Sequence, residues 1–275
     1  MKIETLKIGE ATLTAYIQKN APEIKNADRR PAVLILPGGG YEFVSNPENE
    51  PVALEYSAKG FQAFTLEYSV KEKGVFPVPE TEVLRATAVV RARAEEWFVD
   101  KEKIALVGFS AGGHLAAHLG TQWHLPLLRE TLGGESADFR PDAMVLCYPV
   151  ISGIRSPHLH SFLNLTGPDP AQETLARLSC EESVDGRTPP AFLWHTANDT
   201  CVPVENSLVM AGALAKAGVP VELHVFPNGL HGLSVCTYET AAGGSEDRVY
   251  PYVARWVPWS VRFLENVFRG GDFRR

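Results

Sequence analysis

The stretch "IALVGFSAGGHLAAHLG", residues 104–120, is the part of this chain that decides its fold. Its first six residues form an apolar run typical of a strand buried on both faces, and its last residues are small and helical in pattern. Between the two stands Gly-Phe-Ser-Ala-Gly, residues 108–112, which matches the pattern G-x-S-x-G. Serine at such a position is either an ordinary helix cap or a nucleophile exposed at the tip of a tight turn.

Apolar runs of the same kind recur along the chain, at residues 32–37, 61–68, 143–150, 191–196 and 221–226. Helical patterns lie between or after them, at residues 50–59, 79–98, 111–120, 204–217 and 252–268. Residues 2–9 and 12–18 alternate apolar and polar side chains, which predicts an antiparallel hairpin. Strands that alternate with helices predict an α/β fold with a mostly parallel central sheet of about eight strands and helices on both faces.

Length and composition are those of an ordinary globular protein. The chain has 275 residues, of which 45% are hydrophobic and 21% charged. We expect a single domain, residues 1–275, in which residues 151–187 form a small excursion over the strand ends. The net charge of -7 comes without a basic stripe, which argues against a nucleic-acid partner.

Hydropathy and the spacing of the cysteines indicate in which cellular compartment the protein is found. No apolar run is long enough to cross a bilayer, and the charged first 18 residues lack the apolar core of a signal peptide. The 4 cysteines show no CxxC spacing, which favours free thiols in a reduced protein. We therefore expect a cytoplasmic protein with no membrane partner. The predicted hairpin and the tryptophan-rich residues 254–263 could provide a contact surface between copies of the chain, so a homo-oligomer is possible.

Ser110 needs a base and an orienting carboxylate if it is a nucleophile. His231 lies in "FPNGLHG", a glycine-flanked loop just after the last predicted strand, and Asp199 lies in "HTANDTCVP", just after the strand before it. The order Ser110, Asp199, His231 is that of the nucleophile-elbow hydrolases. An Asx turn is the structural alternative for Asp199, and Glu205 is the nearest other acid, although it falls inside the next predicted helix.

The segment "LPGGGYEF", residues 36–43, follows the first buried run. In this architecture that loop supplies one backbone N–H to an oxyanion hole, and the residue after the nucleophile supplies the other. We expect Ala111 to be one donor and Gly39, Gly40 or Tyr41 to be the second. A flexible glycine turn is the alternative reading, whereas a phosphate-binding loop is excluded because no G-x-x-x-x-G-K-[ST] pattern is present.

The remaining histidines and several aromatic residues are weaker candidates. His114 and His118 lie one helical turn apart, but no third ligand with suitable spacing accompanies them, so we expect no metal and assign His114 to packing or hydrogen bonding beneath the elbow. Four side chains near predicted strand ends or in the excursion are candidate substrate contacts: Tyr41, Tyr68, Trp123 and His158. The three aromatic rings could stack on the face of a sugar, or they could fill the core. His158 could contact substrate, or it could be a solvated loop residue.

At this point the sequence resembles the α/β-hydrolase superfamily over nearly its whole length. It is most similar to the bacterial esterase/lipase group that includes acetyl xylan esterase-like and feruloyl esterase-like enzymes. The motifs that carry the resemblance are "LPGGGYEFVS", "GFSAGGHLAAHL", "YPVI", "TPPAFLWHTANDTCVPVENSLVMAGAL" and "HVFPNGLHGL". Pro37 stands where many relatives have a histidine before the glycines, a departure that points away from members with a large helical cap.

The resemblance implies a serine carboxylic ester hydrolase for short acyl groups, with Ser110 as nucleophile, Asp199 as acid and His231 as base. Its implied substrates are small-molecule or oligosaccharide esters, acetyl esters of sugars or xylo-oligosaccharides foremost, and it requires no cofactor. Two alternatives remain: a prolyl-oligopeptidase-like peptidase and a non-catalytic binding protein with the same fold. We expect activity to fall at acid pH, because a protonated imidazole cannot act as a base.

Overall fold

A computed structural model describes residues 1–21, 23–24, 28–126 and 136–271 of the chain. In this part of the chain one sheet holds all the paired strands, which are β1 (Lys2–Ile8), β2 (Ala11–Ile17), β3 (Arg30–Leu36), β4 (Gln62–Glu67), β5 (Val99–Phe109), β6 (Ala143–Cys147), β7 (Ala191–Thr196) and β8 (Val221–Phe226). Their order across the sheet is β1-β2-β4-β3-β5-β6-β7-β8. The sheet has the eight strands expected from the sequence.

The sheet is antiparallel at one edge and parallel elsewhere. β1 pairs antiparallel with β2, and β2 pairs antiparallel with β4, so the predicted hairpin is confirmed and forms one edge. From β4 through β3, β5, β6 and β7 to β8, every pairing is parallel. The carboxyl ends of these six strands therefore lie along one rim of the sheet, where side chains from distant parts of the chain can meet.

Helices cover both faces of the sheet and enclose two cores. They are α1 (Glu50–Ala58), α2 (Val78–Ala92), α3 (Ser110–Gln122), α4 (Ser136–Phe139), α5 (Leu159–Thr166), α6 (Gln172–Arg177), α7 (Glu205–Lys216) and α8 (Trp256–Phe268). Apolar side chains of α2, α3 and α7 share one core, and those of α1 and α8 share the other. Burial of these apolar surfaces is the main force that holds the layers together.

The small residues of α3 let it lie close against the sheet. Every residue of α3 is buried. A Cβ atom added at Gly113 would lie 2.7 Å from Cβ of Pro149, and one added at Gly120 would lie 2.2 Å from Sδ of Met144. Larger side chains at these positions would push the helix away from the sheet and move its first residue, Ser110, with it.

Two predicted elements differ from the structure. The helix expected over residues 79–98 ends at Ala92, and Phe98 has a φ of 55°, which a right-handed helix does not allow. The run 221–226 does form a strand, but β8 lies at the edge of the sheet and has only β7 as a neighbour. It is therefore half exposed rather than buried on both faces, and Val225 is open to solvent.

The excursion at residues 151–187 contains α5, α6 and a short 3₁₀ helix, Cys180–Ser183. It returns to the body of the protein at Leu178, whose carbonyl lies 2.8 Å from Nε2 of His114. All four cysteines are free thiols, and Cys201 is the exposed one. None of the helices in the described ranges is long and apolar enough to cross a membrane.

Candidate active site

Ser110 lies at the junction of β5 and α3, in a strained backbone conformation. Its φ is 50°, in the left-handed region that L-residues rarely adopt. The turn is this tight because glycines flank it: a Cβ at Gly108 would lie 2.3 Å from the Gly112 carbonyl oxygen, and one at Gly112 would lie 2.1 Å from that of Leu36. The serine hydroxyl is thus held at the positive end of α3, where developing negative charge is favoured.

Three side chains from three strand ends meet at this point. Oγ of Ser110 lies 2.9 Å from Nε2 of His231, and Nδ1 of the same ring lies 2.6 Å from Oδ2 of Asp199. Because the carboxylate can only accept, Nδ1 donates to it, and the lone pair of Nε2 faces the serine hydroxyl. The structure therefore brings together the three residues that the sequence pattern selects, in the chain of hydrogen bonds that a serine nucleophile needs.

Asp199 is held as a carboxylate by several donors. Its Oδ1 accepts the backbone N–H groups of Cys201 and Val202, at 2.8 and 3.0 Å. Burial alone would raise its pKa, but hydrogen bonds from His195 and His231 outweigh burial and hold the pKa well below the usual range. Glu205, the alternative acid, is the first residue of α7, as expected. His195, in β7, is buried and lies 3.4 Å from the Asp199 carboxylate.

The glycine loop that follows β3 forms one wall of the site. Gly39 and Gly40 line the cavity beside Ser110, with φ angles of 126° and 63°. A side chain at Gly39 could not be accommodated, since a Cβ there would lie 2.0 Å from the Phe43 carbonyl oxygen. Ala111 follows Ser110 in the first turn of α3, where backbone N–H groups have no partner within the helix.

The cavity above Ser110 has a volume of about 260 Å³. Besides Ser110, His231 and the two glycines, its walls come from the loop after β3, from the excursion and from the loop after β7. The contributing side chains are Glu42, Phe43, Ser45, Glu48, His158, His160 and Cys201. Among the described residues no group of three or more His, Cys, Asp or Glu side chains is arranged to hold a metal ion.

Of the four predicted substrate contacts, only His158 lines this cavity. The Tyr41 ring is 1% exposed and its hydroxyl lies 2.8 Å from Nδ1 of His114. The Tyr68 ring is buried, and its hydroxyl donates to the Pro37 carbonyl oxygen at 2.7 Å. Trp123 caps the end of α3 opposite Ser110. The sugar-stacking prediction for these three aromatic residues is wrong, because two are buried by the core and one lies at the far end of the helix.

His114 joins the elbow helix to two other segments. Its Nε2–H donates to the Leu178 carbonyl oxygen, so Nδ1 is unprotonated and accepts the Tyr41 hydroxyl. Burial lowers the pKa of His114 to about 4, which keeps the ring neutral. This is the hydrogen-bonding function beneath the elbow that the sequence suggested. Through Tyr41, it also fixes the far end of the glycine loop.

Glu48 is a buried residue at this site that sequence reasoning missed. It is 3% exposed, and its two oxygens accept the Gly38 N–H at 2.7 Å and the Tyr148 hydroxyl at 2.6 Å. Burial raises the pKa of this carboxyl, while its hydrogen bonds to Tyr148 and Gly38 oppose the rise. The sequence gives no signal for it, because the polar segment at residues 46–50 holds two glutamates and reads like an exposed loop.

The order of strands and the serine turn after β5 define the class: this is an α/β hydrolase. The family model described as BD-FAE matches residues 20–214, so the chain belongs to the BD-FAE family. A solved structure similar over the whole length is MGS-M1, an α/β hydrolase from a Medee basin deep-sea metagenome library. It is 36% identical, with 98% of each chain covered and a TM-score of 0.80.

Two further relatives carry more specific names. The acetyl ester-xyloside bifunctional hydrolase from Caldicellulosiruptor lactoaceticus is 36% identical, with 94% of this chain and 88% of that chain covered and a TM-score of 0.80. Endo-1,4-beta-xylanase B of Butyrivibrio fibrisolvens is 37% identical over 222 residues, which are 79% of this chain. The chain spans only 34% of the length of that xylanase.

Proposed function

We propose that this protein is a serine carboxylic ester hydrolase for short-chain acyl esters, and that acetyl esters of sugars or xylo-oligosaccharides are its substrates. One observation carries the proposal: the Ser110 hydroxyl is 2.9 Å from Nε2 of His231, whose Nδ1 is 2.6 Å from Asp199, at the floor of an open cavity. A non-catalytic binding protein would have no use for this chain of hydrogen bonds, so the arrangement favours an enzyme over the binding-protein alternative.

In the acylation step, Oγ of Ser110 attacks the ester carbonyl carbon while Nε2 of His231 takes the hydroxyl proton. The carbonyl double bond opens, and its electron pair moves to the oxygen. The resulting imidazolium is stabilised by the ionised Asp199. The imidazolium then gives its proton to the departing alcohol oxygen as the carbon–oxygen bond breaks, which leaves an acyl group on Ser110.

In the deacylation step, a water molecule takes the place of the alcohol. His231 removes a proton from this water as its oxygen attacks the acyl carbon, and the proton returns to Ser110 when the serine–acyl bond breaks. The products are a carboxylic acid and the free enzyme. Both steps place negative charge on the same carbonyl oxygen. Ala111 N–H and an N–H of the Gly39–Gly40 segment are the proposed donors to it, and one such donor is typically worth about 3 kcal/mol.

The proposed substrate class rests on the cavity and on relatives. About 260 Å³ is small for a drug-sized ligand, which favours a short acyl group over a long chain. Its rim carries polar side chains, Glu42 and His160 among them, that can bind hydroxyl groups. One relative is named for acetyl ester hydrolysis and another for xylan hydrolysis. These names support sugar acetates as the first substrates to test.

Labelling with a fluorophosphonate tests the catalytic assignment. We expect a single adduct on Ser110, located by mass spectrometry of tryptic peptides, and no adduct in Ser110→Ala. Ser45 lines the same cavity and has no histidine partner among the described residues, so it is an internal control for non-specific reaction. An adduct on Ser45 in place of Ser110, or full ester hydrolysis by Ser110→Ala, would contradict the proposal.

A substrate panel tests the rest of the proposal. It contains acetyl, butyryl and feruloyl esters of 4-nitrophenol, acetylated xylo-oligosaccharides and aminoacyl amides. We expect the highest kcat/KM among the simple esters for acetyl, and cleavage of the sugar acetates. Preference for aminoacyl amides would instead identify a peptidase.

A further inference from the structure

A second cavity adjoins the one above Ser110. It has a volume of about 460 Å³ and shares Glu42 with the first cavity as a wall. Its other walls come from the 3₁₀ helix Lys71–Lys73 and from the end of α5, and they include Lys71, Glu72, Val75 and Asn164. The volume lies in the range of about 300–1,000 Å³ that is usual for small-molecule sites.

The boundary between the two cavities is formed by ordered polar side chains. Oε2 of Glu42 lies 3.0 Å from Nε2 of His160, a residue that lines the first cavity. Asn164, one turn further along α5, lines the second cavity and donates from Nδ2 to the Gly40 carbonyl oxygen at 2.8 Å. The two cavities therefore share Glu42 as a wall, and both border the glycine loop beside Ser110.

A backbone hydrogen bond also holds one wall of the second cavity against the glycine loop. The backbone N–H of Lys71 donates to the Tyr41 carbonyl oxygen at 2.9 Å. The Lys71 side chain is exposed at the cavity wall, and no ion pair to it is found among the described residues. A ligand that bridges the two cavities would thus meet groups held by the same short segment of backbone, residues 38–41, that borders Ser110.

The chemistry of the walls selects the ligand. One ammonium, two carboxylates and one amide offer both donors and acceptors, which neutral hydroxyl groups can match. The two carboxylates against a single lysine disfavour phosphate, uronate or other anions. Exposed apolar surface is present too, since Val75 is 38% exposed and Phe43, in the first cavity, is 58% exposed. Alternating hydroxyl groups and apolar ring faces are the surface of a neutral sugar.

We propose that the second cavity binds the sugar rings of a neutral oligosaccharide whose acyl group lies at Ser110. This inference rests on the proposed function and extends it, because it assigns the acyl group to the smaller cavity and the alcohol portion to the larger one. The enzyme then gains rate from binding a part of the substrate remote from the ester, which is how binding energy raises kcat/KM.

The test compares two lysines of the same 3₁₀ helix. Lys71 lines the second cavity, whereas Nζ of Lys73 pairs with Glu10 at 3.0 Å and does not line it. The measured quantity is the ratio of kcat/KM for mono-acetylated xylotriose to kcat/KM for 4-nitrophenyl acetate. We expect Lys71→Ala and Glu72→Ala to lower this ratio about ten-fold, the loss expected for a hydrogen bond to a charged group. Lys73→Ala should leave the ratio unchanged.

Two kinetic results would overturn the inference. One is an unchanged ratio in both Lys71→Ala and Glu72→Ala, and the other is an equal fall of the ratio in Lys73→Ala. Calorimetric titration of unacetylated xylotriose into Ser110→Ala separates this inference from the proposed function. Binding that Lys71→Ala weakens supports the second cavity even if no ester is cleaved, whereas cleavage of sugar acetates without such binding sinks the second cavity and leaves the hydrolase intact.

Discussion

The Tyr148 hydroxyl donates a 2.6 Å hydrogen bond to Oε1 of Glu48, and this pair joins the two loops of the site. Oε2 of Glu48 accepts the N–H of Gly38, at the start of the glycine loop, at 2.7 Å. The Tyr148 hydroxyl in turn accepts the N–H of Ser234 at 2.9 Å, and its ring packs edge-on against that of His231, with 4.9 Å between centroids. One buried carboxylate thus helps to position both the glycine loop and the loop of the histidine.

Removal of the Tyr148 hydroxyl should therefore weaken the protein and the site together. Tyr148→Phe leaves Oε1 of Glu48 and the N–H of Ser234 without partners, and unpaired buried groups cost about 1–3 kcal/mol each. We expect a loss of that order in the free energy of unfolding, measured with urea, and a fall in kcat. Tyr238→Phe is the control, because Tyr238 is 66% exposed. Equal stability of the two variants would contradict the network.

Asp199→Asn should lower kcat by about 10⁴-fold with little change in KM, if Asp199 orients His231 as proposed. An amide can donate to Nδ1 and so stabilise the tautomer whose Nε2 carries the proton and cannot accept one from Ser110. Steady-state kinetics on 4-nitrophenyl acetate measures the effect. Asp185→Asn, at an ion pair on the surface with Arg187, should leave kcat as in the parent. A loss of less than ten-fold for Asp199→Asn would refute this role.

Glu80 should make the protein less stable as pH rises. Burial raises its pKa from 4.5 to about 7, so the folded state holds this proton more tightly than the unfolded state does. Stability is therefore favoured below pH 4.5 and is lost as pH rises towards 7, by about 3 kcal/mol in total. His118, 3.9 Å away, has its pKa lowered to about 3 by burial and acts in the opposite direction.

The effect of Glu80 is isolated by the difference between Glu80→Gln and the parent protein, since His118 is present in both. We expect the variant to gain about 3 kcal/mol relative to the parent between pH 4 and pH 8, measured by urea unfolding at several pH values. Glu95→Gln, an exposed position, provides the baseline. A pH-independent difference for Glu80→Gln would show that its proton is bound equally in the folded and unfolded states.

Two glycine-to-alanine substitutions should change the free energy of unfolding in opposite directions. At Gly112 a Cβ would lie 2.1 Å from the Leu36 carbonyl oxygen, so Gly112→Ala should cost at least about 2 kcal/mol and displace the serine turn. At Gly212, in α7, a Cβ would meet nothing within 4 Å, and alanine should stabilise the helix by about 0.5–1 kcal/mol. Thermal unfolding measures both changes. Destabilisation of the same size at Gly212 would show that the contact at Gly112 is not the cause.

The sequence predicts the fold, and it selects the three side chains that the structure brings together, because each depends on a local pattern. Ser110 follows its apolar run directly, Asp199 and His231 lie in the loops after β7 and β8, and parallel strands bring these strand ends to one rim. Glu48 and Tyr148 could not be found in this way, since they are 100 positions apart and their importance depends on mutual burial. The error over Tyr41 and Tyr68 has the same origin, because a strand end does not reveal whether a ring faces the cavity or the core.

The edge position of β8 has a consequence for the order of assembly. His231 and Ser234 follow β8, which is held in the sheet by β7 alone, whereas Ser110 and the glycine loop belong to strands nearer the centre. On a ribosome Ser110 would thus lack its proposed base, His231, until the last strand has emerged and docked. The onset of the proposed ester hydrolysis would then report that β8 has docked on β7, and an amino-terminal fragment that stops short of residue 231 would lack that signal.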